Sequence, residues 1–310
     1  MTTPAELLRA TYPAPSETAI GARAPVALEP LEARILLTHV LQWPRTALIT
    51  RADAELPEPA VERYRQLVER RLAGEPIAQL VGQREFYGLD FSVTPDVLIP
   101  RPETELLVEL ALEACLNMVC PRILDLGTGS GAIAVSIAHQ RPDAQITASD
   151  RSASALAVAR ANGARLLPTG RPGGPLNCLC GDWFEALTPL AAAPAPATTT
   201  QTSYHVIVSN PPYIRADDPH LAQGDLRFEP RGALTDEADG LDAIRTIVAR
   251  APEFLVEQGW LWIEHGYDQS DAVAALLSAR GFNAVRSVCD LAGIPRVSGG
   301  RFNFLKSAII

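Results

Sequence analysis

The sequence predicts an α/β fold, in which a mostly parallel sheet carries helices on both faces and follows a small all-helical N-terminal domain. From about residue 122, short apolar runs alternate with helical stretches, which is typical of strands joined by helices into a parallel sheet. Before about residue 84, the apolar residues recur only at helical spacing. The length of 310 residues suits about two domains.

Two amphipathic helices are predicted in the first domain. One spans residues 28–42, and the other spans 58–73 and is followed by Gly74, a frequent helix stop. The arginines of the second helix alternate with glutamates, which favours a solvent-exposed face over a basic groove for nucleic acid. We place this helical domain at residues 1–85.

A linker leads from the helices to the sheet. Residues 86–100 are aromatic and β-branched and are broken by Gly88 and Pro95, which predicts a hairpin or an extended linker. Residues 101–310 form the second domain, which opens with a helix that has acidic residues in its first turn. Its predicted strands are 123–126, 145–149, 177–179, 205–209 and 260–263, and its predicted helices include 132–139 and 153–166.

Composition excludes several classes of protein. The net charge of −9 argues against sequence-blind nucleic-acid binding, which needs a basic face. No apolar run is long enough to span a membrane, and the first residues lack the pattern of a secretory signal. The five cysteines suit reduced thiols in a cytoplasmic protein, and the scattered histidines predict no metal site. The Pro/Ala/Thr-rich stretch 189–203 is interpreted as a surface insertion without chemistry.

A glycine-rich loop follows the first predicted strand of the sheet. The segment from Asp125 to Ala132 is DLGTGSGA, and its glycines let the backbone turn tightly and approach a ligand. Asp150 closes the next strand about 20 residues later, where a carboxylate can accept hydrogen bonds from a ribose diol. The loop therefore indicates a nucleoside-containing cofactor. Because Gly127-x-Gly129-x-x-Ala132 also fits the loose dinucleotide fingerprint, an NAD-dependent dehydrogenase stays open at this point.

A second loop, Asn210-Pro211-Pro212-Tyr213, follows the strand at 205–209. Two prolines stiffen the backbone and remove both amide donors. The Asn210 side-chain oxygen and the Pro211 carbonyl can then accept the two hydrogens of a planar –NH2 group, and the Tyr213 ring can lie beside a flat substrate or a sulfonium. This loop indicates chemistry on an amine or amide nitrogen. A dehydrogenase would need an acid/base residue further along, and nothing distinctive supplies it.

These motifs resemble those of S-adenosylmethionine-dependent methyltransferases that modify exocyclic amines or amides, which include N6-adenine DNA methyltransferases and protein-glutamine N5 methyltransferases. Residues 74–105 are similar to the linker and entry helix of the release-factor glutamine methyltransferases (the HemK/PrmC family). Four later motifs match that family in order: Gly181-Asp182-Trp183, Phe228-Glu229-Pro230, Asp239-Gly240-Leu241 and Glu264-His265-Gly266. The resemblance runs from about residue 28 to 305.

The resemblance implies a seven-stranded Rossmann-like methyltransferase sheet behind a helical domain that docks the substrate. It implies methyl transfer from S-adenosylmethionine, which leaves as S-adenosylhomocysteine, to the amide N5 of the GGQ-motif glutamine in peptide chain release factors. The alternatives are a glutamine of a ribosomal protein and the N6 of adenine in DNA. The acidic net charge favours a protein substrate. We expect a cytoplasmic monomer with no stable nucleic-acid partner and no membrane partner.

The family pattern also implies roles for individual residues. The cofactor-binding residues would be Gly127, Thr128, Gly129, Ser130, Gly131, Asp150, Asp182, Trp183 and Asn210. The substrate-binding residues would be Asn210, Pro211, Pro212 and Tyr213, with Asn210, Pro211 and Tyr213 catalytic. For Glu264 and His265, an orienting or structural role is favoured over a catalytic one. No side chain can deprotonate an amide outright, so we expect catalysis by positioning rather than by a strong base.

Overall fold

The computed structural model describes residues 2–12, 26–187 and 203–304. Apart from Ser203, the predicted insertion at 189–203 lies outside the described residues. The chain divides into two compact units. One comprises Met1–Gln83 with Gln223–Phe228, and the other comprises Arg84–Ala222 with Glu229–Ile310.

The first unit is built from helices around a small apolar core. The helices are α1 (Pro4–Arg9), α2 (Pro30–Leu41), α3 (Arg45–Thr50), α4 (Glu58–Leu72) and α5 (Ile77–Val81), and the two-residue strands β1 (Thr11–Tyr12) and β2 (Val26–Ala27) pair antiparallel. Leu36 and Leu37 of α2 are fully buried, as are Val61 and Tyr64 of α4. The two helices predicted from the apolar spacing are therefore confirmed.

A short segment from the second half of the sequence also belongs to this helical unit. Asp225 accepts a hydrogen bond from the Arg71 guanidinium at 3.1 Å, and the Gln79 side chain donates to the carbonyl of Phe228 at 3.0 Å. The chain that follows the Asn-Pro-Pro-Tyr loop thus contributes to the helical unit before it returns to the sheet. The domain boundaries predicted from the sequence, at residues 85 and 101, assign this segment to the second domain instead.

A hairpin lies at the start of the segment predicted as a hairpin or linker, and it begins at Gln83, before the predicted range of 86–100. Strands β3 (Gln83–Phe86) and β4 (Leu89–Ser92) form a two-stranded sheet. Tyr87 and Gly88 connect them with positive φ angles of 52° and 75°, as a tight two-residue hairpin turn requires.

The second unit is organised on a seven-stranded sheet in the order β10-β11-β9-β8-β5-β6-β7. The strands are β5 (Arg122–Leu126), β6 (Gln145–Asp150), β7 (Asn177–Cys180), β8 (Tyr204–Ser209), β9 (Leu255–Glu264), β10 (Phe282–Cys289) and β11 (Pro295–Phe302). The helices are α6 (Glu105–Ala114), α7 (Ala132–Gln140), α8 (Ala153–Leu166), α9 (Arg231–Leu234), α10 (Asp242–Arg250) and α11 (Ser270–Arg280). Strands β5 to β9 pair in parallel, and β11 pairs antiparallel with β9 and β10. The predicted fold class is confirmed.

Successive residues of the central strands point to opposite faces of the sheet, as the pleat requires. Ile123 of β5 belongs to one buried cluster with residues of α6 and α7, whereas Leu124 belongs to another with residues of α10 and α11. Helices therefore cover both faces.

The last part of the sheet has no counterpart among the strands predicted from residue patterns. In β11, Gly299 lies opposite Trp262, and a Cβ at Gly299 would come within 2.1 Å of that indole ring. The glycine leaves room for Trp262 to stack on Trp260 at 4.8 Å. A strand that contains glycines for such packing lacks the β-branched alternation by which strands are predicted.

The strand order places both motif loops at one edge of the sheet. The glycine loop follows β5, and Asn210 follows the adjacent parallel strand β8. In the sheet, β6 lies beside β5 on one side and β8 lies beside β5 on the other side. Ligands of open α/β sheets bind at such a switch point, at the carboxyl ends of the strands.

Candidate functional site

The glycine loop is held by backbone hydrogen bonds. Gly127, Gly129 and Gly131 have φ angles of 71°, 55° and 81°, a region that glycine adopts with little penalty. The amides of Gly127 and Thr128 both donate to the carbonyl of Ser149 at 2.9 Å. The loop after β5 is thereby fixed to the end of β6.

Asp150, at the end of β6, also holds the loop. Its Oδ2 accepts a hydrogen bond from the Gly129 amide at 2.9 Å, and its Oδ1 accepts one from the Ser152 amide at 2.9 Å. Each carboxylate oxygen keeps capacity for a further donor. Asp150 therefore positions the glycine loop and can still accept hydrogen bonds from a ligand.

Asp125 is a fully buried carboxyl beneath the loop. Its Oδ2 accepts hydrogen bonds from the Thr128 hydroxyl at 2.7 Å and from the Ala134 amide at 3.2 Å. Within the described part of the chain, its Oδ1 has no hydrogen-bond partner. Burial raises the pKa of Asp125 to about 7.

Trp183 closes one side of a cavity of about 230 Å³. It has an unusual positive φ of 44°, and a Cβ at Gly127 would lie 3.4 Å from its ring. The ring therefore covers the place where any side chain at position 127 would project. Other residues that line the cavity are Asp96, Val97, Leu98, Gly129, Asp150, Arg151, Ser152, Ala155, Asp182, Asn210, Pro212, Pro230, Gly232 and Ala233.

Asn210 links the cavity to a buried polar cluster. Its Nδ2 donates to the Thr104 hydroxyl at 3.1 Å, and Thr104 is itself buried in the turn before α6. The hydroxyl of Tyr213 donates to Oε1 of Glu264, at the end of β9, at 3.2 Å. The other oxygen of Glu264, Oε2, is buried without a hydrogen-bond partner among the described residues. Burial raises the pKa of Glu264 to about 7, although the nearby Thr104 and Tyr213 hydroxyls act against that rise.

A glutamine holds the backbone of the same loop. The Gln269 side-chain amide donates to the carbonyls of Tyr213 at 3.1 Å and Gly240 at 3.2 Å, and its Oε1 accepts from the Gly266 amide at 2.8 Å. Gly240 has a φ of 81°, and a Cβ there would meet the Tyr213 carbonyl oxygen at 2.4 Å. Three segments singled out by the resemblance thus meet at one point.

Two other residues of the matched motifs have buried roles. Nδ1 of His265 bonds the Gly266 carbonyl at 2.9 Å, and its Nε2 bonds the Ser298 hydroxyl at 2.8 Å, so both ring nitrogens are occupied. Glu229 accepts a hydrogen bond from the Ile99 amide at 2.8 Å and pairs with Arg101. His265 therefore fits a structural role.

The structure brings most of the predicted site residues to one cavity. Those that line it are Gly127, Gly129, Asp150, Asp182, Trp183, Asn210 and Pro212. The other predicted site residues, which do not line it, are Thr128, Ser130, Gly131, Pro211 and Tyr213. Thr128 and Ser130 are buried within the glycine loop, and Tyr213 donates its hydroxyl to Glu264. Their roles in binding remain predictions.

Several residues of the site were not identified from the sequence. Thr104 and Gln269 bond the loop residues directly, yet a lone threonine or glutamine has no distinctive pattern. Thr104 does lie inside the matched segment 74–105, which is the one signal that could have identified it. Among the described residues, no group of acidic, histidine or cysteine side chains could hold a metal ion, and no helix is long and apolar enough to cross a membrane.

Two protein families match this chain. Residues 22–82 match the family described as the PrmC N-terminal domain. Residues 103–170 match the family described as the methyltransferase small domain, and this range includes the glycine loop and Asp150.

Whole-chain relatives cover nearly all of the sequence. The release factor glutamine methyltransferase of Burkholderia pseudomallei is 59% identical over 294 residues, which are 95% of this chain and 99% of the relative. The protein of the same description from Bordetella pertussis is 56% identical over 271 residues, 87% of this chain and 94% of the relative. A solved structure, the hMettl16 catalytic domain in complex with MAT2A 3′UTR hairpin 1, has a TM-score of 0.54 at 13% identity, covering 90% of this chain and 93% of its own. That last similarity supports the fold alone.

Proposed function

The chain belongs to the family of release factor glutamine methyltransferases, and from this premise we propose that it methylates the side-chain amide nitrogen of a glutamine in a peptide chain release factor. S-adenosylmethionine is the proposed methyl donor. The observation on which the proposal depends is the position of Asn210, which lines the cavity while its Nδ2 is engaged by Thr104. Its carbonyl oxygen is then the atom available to a substrate.

The cavity fits an adenosyl cofactor. Gly127 and Gly129 line it, and a Cβ at Gly129 would project into open space, so the backbone itself can approach a ligand. Asp150 and Asp182 add acidic side chains, which suit ribose hydroxyls and a sulfonium charge. Trp183 supplies an aromatic wall for a purine.

The acceptor loop fits an amide –NH2 group. An acceptor at Asn210 favours the positive charge that develops on the nitrogen as the N–C bond forms and the C–S bond breaks. When bound, S-adenosylmethionine supplies the electrophilic methyl group and a neutral thioether leaving group. The chain's residues then hold the nitrogen in line at about 3–3.5 Å, and the proton leaves to solvent after the transfer.

Among the residues that the structure describes, no strong base faces the Asn210–Tyr213 loop. Glu264 is buried, does not line the cavity and accepts the Tyr213 hydroxyl with Oε1, and both nitrogens of His265 are hydrogen-bonded. The rate enhancement is therefore proposed to come from orientation and charge stabilisation, which need no deprotonated amide.

The helical unit is proposed as the docking part for the protein substrate. A single glutamine side chain offers little binding energy, so a larger contact is needed. The net charge of −9 argues against duplex DNA as the partner. The monomeric state and cytoplasmic location remain predictions.

The test combines a choice of substrates with one variant. Radiolabelled S-adenosylmethionine is offered with purified release factor, the ribosomal protein that carries a methylated glutamine, and duplex DNA in parallel. We expect label in the release factor, and Asn210→Ala should lower the rate by at least about 10³-fold. Calorimetry should show that the variant binds S-adenosylmethionine within about threefold of the unchanged chain.

Three outcomes would contradict the proposal. Label in DNA alone would show that the substrate is a nucleic acid and not a protein. Label in the ribosomal protein alone would show that the release factor is not the target. Near-normal turnover of Asn210→Ala would remove the assigned role of the asparagine oxygen.

A further inference from the structure

The direction of the hydrogen bonds behind Asn210 decides which end of its amide faces the cavity. A carboxamide has an acceptor oxygen and a donor nitrogen at nearly equal positions. Only the orientation with the oxygen toward the substrate can accept from an –NH2 group. In the structure, Nδ2 donates to the Thr104 hydroxyl at 3.1 Å, which leaves the oxygen for the substrate.

Thr104 can hold this orientation only if its own proton is used elsewhere. A hydroxyl has one proton and two lone pairs, so it could equally donate to the Asn210 oxygen and turn the amide around. The neighbouring Glu264 carboxyl offers a place for that proton: its Oε2 is buried and has no hydrogen-bond partner among the described residues, and the Thr104 hydroxyl lowers the pKa of this carboxyl. When Glu264 accepts this proton, the oxygen of Thr104 is left as an acceptor for Asn210.

Glu264 accepts a hydrogen bond with one carboxyl oxygen and has its second oxygen buried without a partner among the described residues. It is buried at the end of β9, which pairs with the strand that precedes Asn210, and Ser209 lies opposite Ile263 in that register. The hydroxyl of Tyr213 donates to its Oε1 at 3.2 Å. Within the described residues, Glu264 is in no ion pair. Its burial therefore costs stability, and a role as a hydrogen-bond acceptor would explain why a carboxyl is present at this position.

We propose that Glu264 is a positioning residue: its Oε1 holds the Tyr213 hydroxyl, and its Oε2 takes the proton of the Thr104 hydroxyl, so that Thr104 orients the Asn210 amide with its oxygen toward the substrate. The inference rests on the proposed function, in which the Asn210 oxygen accepts from the substrate amide. Glu264 touches neither the substrate nor the cofactor in this scheme. Its effect is expected on turnover rather than on binding.

The charged and titratable groups that face Glu264 come from three directions. Glu103, in the turn before α6, raises the pKa of Glu264, and Arg296 of β11 lowers it. Tyr213 is the hydroxyl donor, and its own pKa is raised by burial and by Glu264. The adjacent His265 is kept neutral because burial lowers its pKa. With the pKa of Glu264 at about 7, the accepting form gains population as the pH rises through neutrality.

The test measures methylation of purified release factor by Glu264→Gln, by Thr104→Val and by the double variant. Glutamine presents an –NH2 donor to Thr104, and valine removes the acceptor for Asn210. We expect each single variant to lower kcat by about 10- to 100-fold, with the KM for S-adenosylmethionine within about threefold. The double variant should be no slower than the worse single variant, because both changes break one relay. Thr104→Ser keeps the hydroxyl, so it should retain most of the activity of the unchanged chain.

A matched control and a pH profile separate positioning from a merely structural role. Glu257→Gln makes the same change at an exposed position of β9 and should leave kcat within about twofold. In the acid limb of kcat/KM near pH 7, Glu264→Gln should lose one unit of slope, because one titrating group is gone. Asp125, with a pKa of about 7, would keep its own contribution.

Three results would overturn the inference: a kcat of Glu264→Gln within twofold of the unchanged chain, an acid limb with the same slope in both proteins, or fully additive losses in the double variant. The proposed function is tested separately by Asn210→Ala. If that variant is inactive while Glu264→Gln is normal, the relay is wrong and the proposed function stands. If Asn210→Ala is active, the acceptor role itself fails.

Discussion

The two halves of the site differ in how far along the chain their supporting residues lie. In the cofactor half, formed by Asp125–Ala132, Asp150 and Trp183, the Thr128 hydroxyl bonds Asp125 three residues away, and Gly129 bonds Asp150 of the next strand. In the acceptor half, formed by Asn210–Tyr213 with its supports, the partners are distant in sequence. They are Thr104, Gly240, Glu264 and Gln269.

This difference separates the expected effects of mutation. The cofactor half is shaped by backbone turns, so a change there should alter the binding of S-adenosylmethionine. The acceptor half is shaped by buried side chains that orient one loop, so a change there should alter turnover while the cofactor still binds. Four substitutions test that division.

The largest effect is expected at Gly240. Gly240→Ala places a Cβ 2.4 Å from the Tyr213 carbonyl oxygen, at a φ of 81° that alanine adopts poorly, so the acceptor loop must move. A shift of about 1 Å costs roughly 10²-fold in rate. We expect kcat to fall about 10²- to 10³-fold, with cofactor affinity within about threefold, by steady-state assay and calorimetry.

The control for Gly240 is Gly293→Ala, which has the same strain at a φ of 79° but nothing within 4 Å of the added Cβ. It should leave kcat within about twofold. Equal losses in both variants would show that backbone strain, rather than the contact with Tyr213, is responsible.

The next effect concerns stability and pH at Glu264. Its pKa is about 7 in the folded chain and 4.5 in the reference state, so between these values the folded state holds a proton that the unfolded state has lost. Stability therefore falls as the pH rises through this window, by roughly 3 kcal/mol. Glu264→Gln has no such loss, so its free energy of unfolding should improve relative to the unchanged chain between about pH 5 and 7.

Urea unfolding at a series of pH values measures this difference. The exposed Glu257→Gln serves as the matched control, and its curve should run parallel to that of the unchanged chain. A parallel curve for Glu264→Gln as well would mean that Glu264 is not buried in the way the structure shows. If Glu264→Gln is both more stable and slower in turnover, Glu264 lowers the stability of the fold while it supports activity.

A moderate effect is expected in the cofactor half. Gly127→Ala adds a Cβ 3.4 Å from the Trp183 ring, at a φ of 71°. We expect the Kd for S-adenosylmethionine to rise about tenfold, while kcat at saturating cofactor stays within about threefold. Gly170→Ala, with a φ of 74° and nothing within 4 Å, is the control. A loss confined to kcat would contradict the division of the site.

The smallest effect is expected from an exposed ion pair beside Gly240. Arg245 donates to Asp239 at 2.9 Å, and both side chains are about half exposed. Exposed pairs contribute little, so Arg245→Gln should leave kcat and KM within about twofold and Tm within about 2 °C. A tenfold loss of kcat would show that the charge of Asp239, and not only Gly240, supports the acceptor loop.

Much of this site could be predicted because its signals are local. The glycine loop and Asp150 are identified by a strand, a turn and the end of the next strand, and all three lie within one short stretch of sequence. Asn210–Tyr213 is identified by two prolines in a row. The helices at 30–41 and 58–72 follow from apolar spacing alone, because one face of each is buried.

The sequence by itself therefore determined the fold class, and it singled out the glycine loop and the Asn210–Tyr213 loop as candidates for the site. Only the tertiary structure decided what holds the acceptor loop. Thr104 precedes Asn210 by about a hundred residues, and Glu264 is at the end of a strand whose neighbour in the sheet is set by strand order. Hydrogen bonds between such positions leave no periodic pattern in the chain, because they depend on which strands lie side by side and not on the residues next to them.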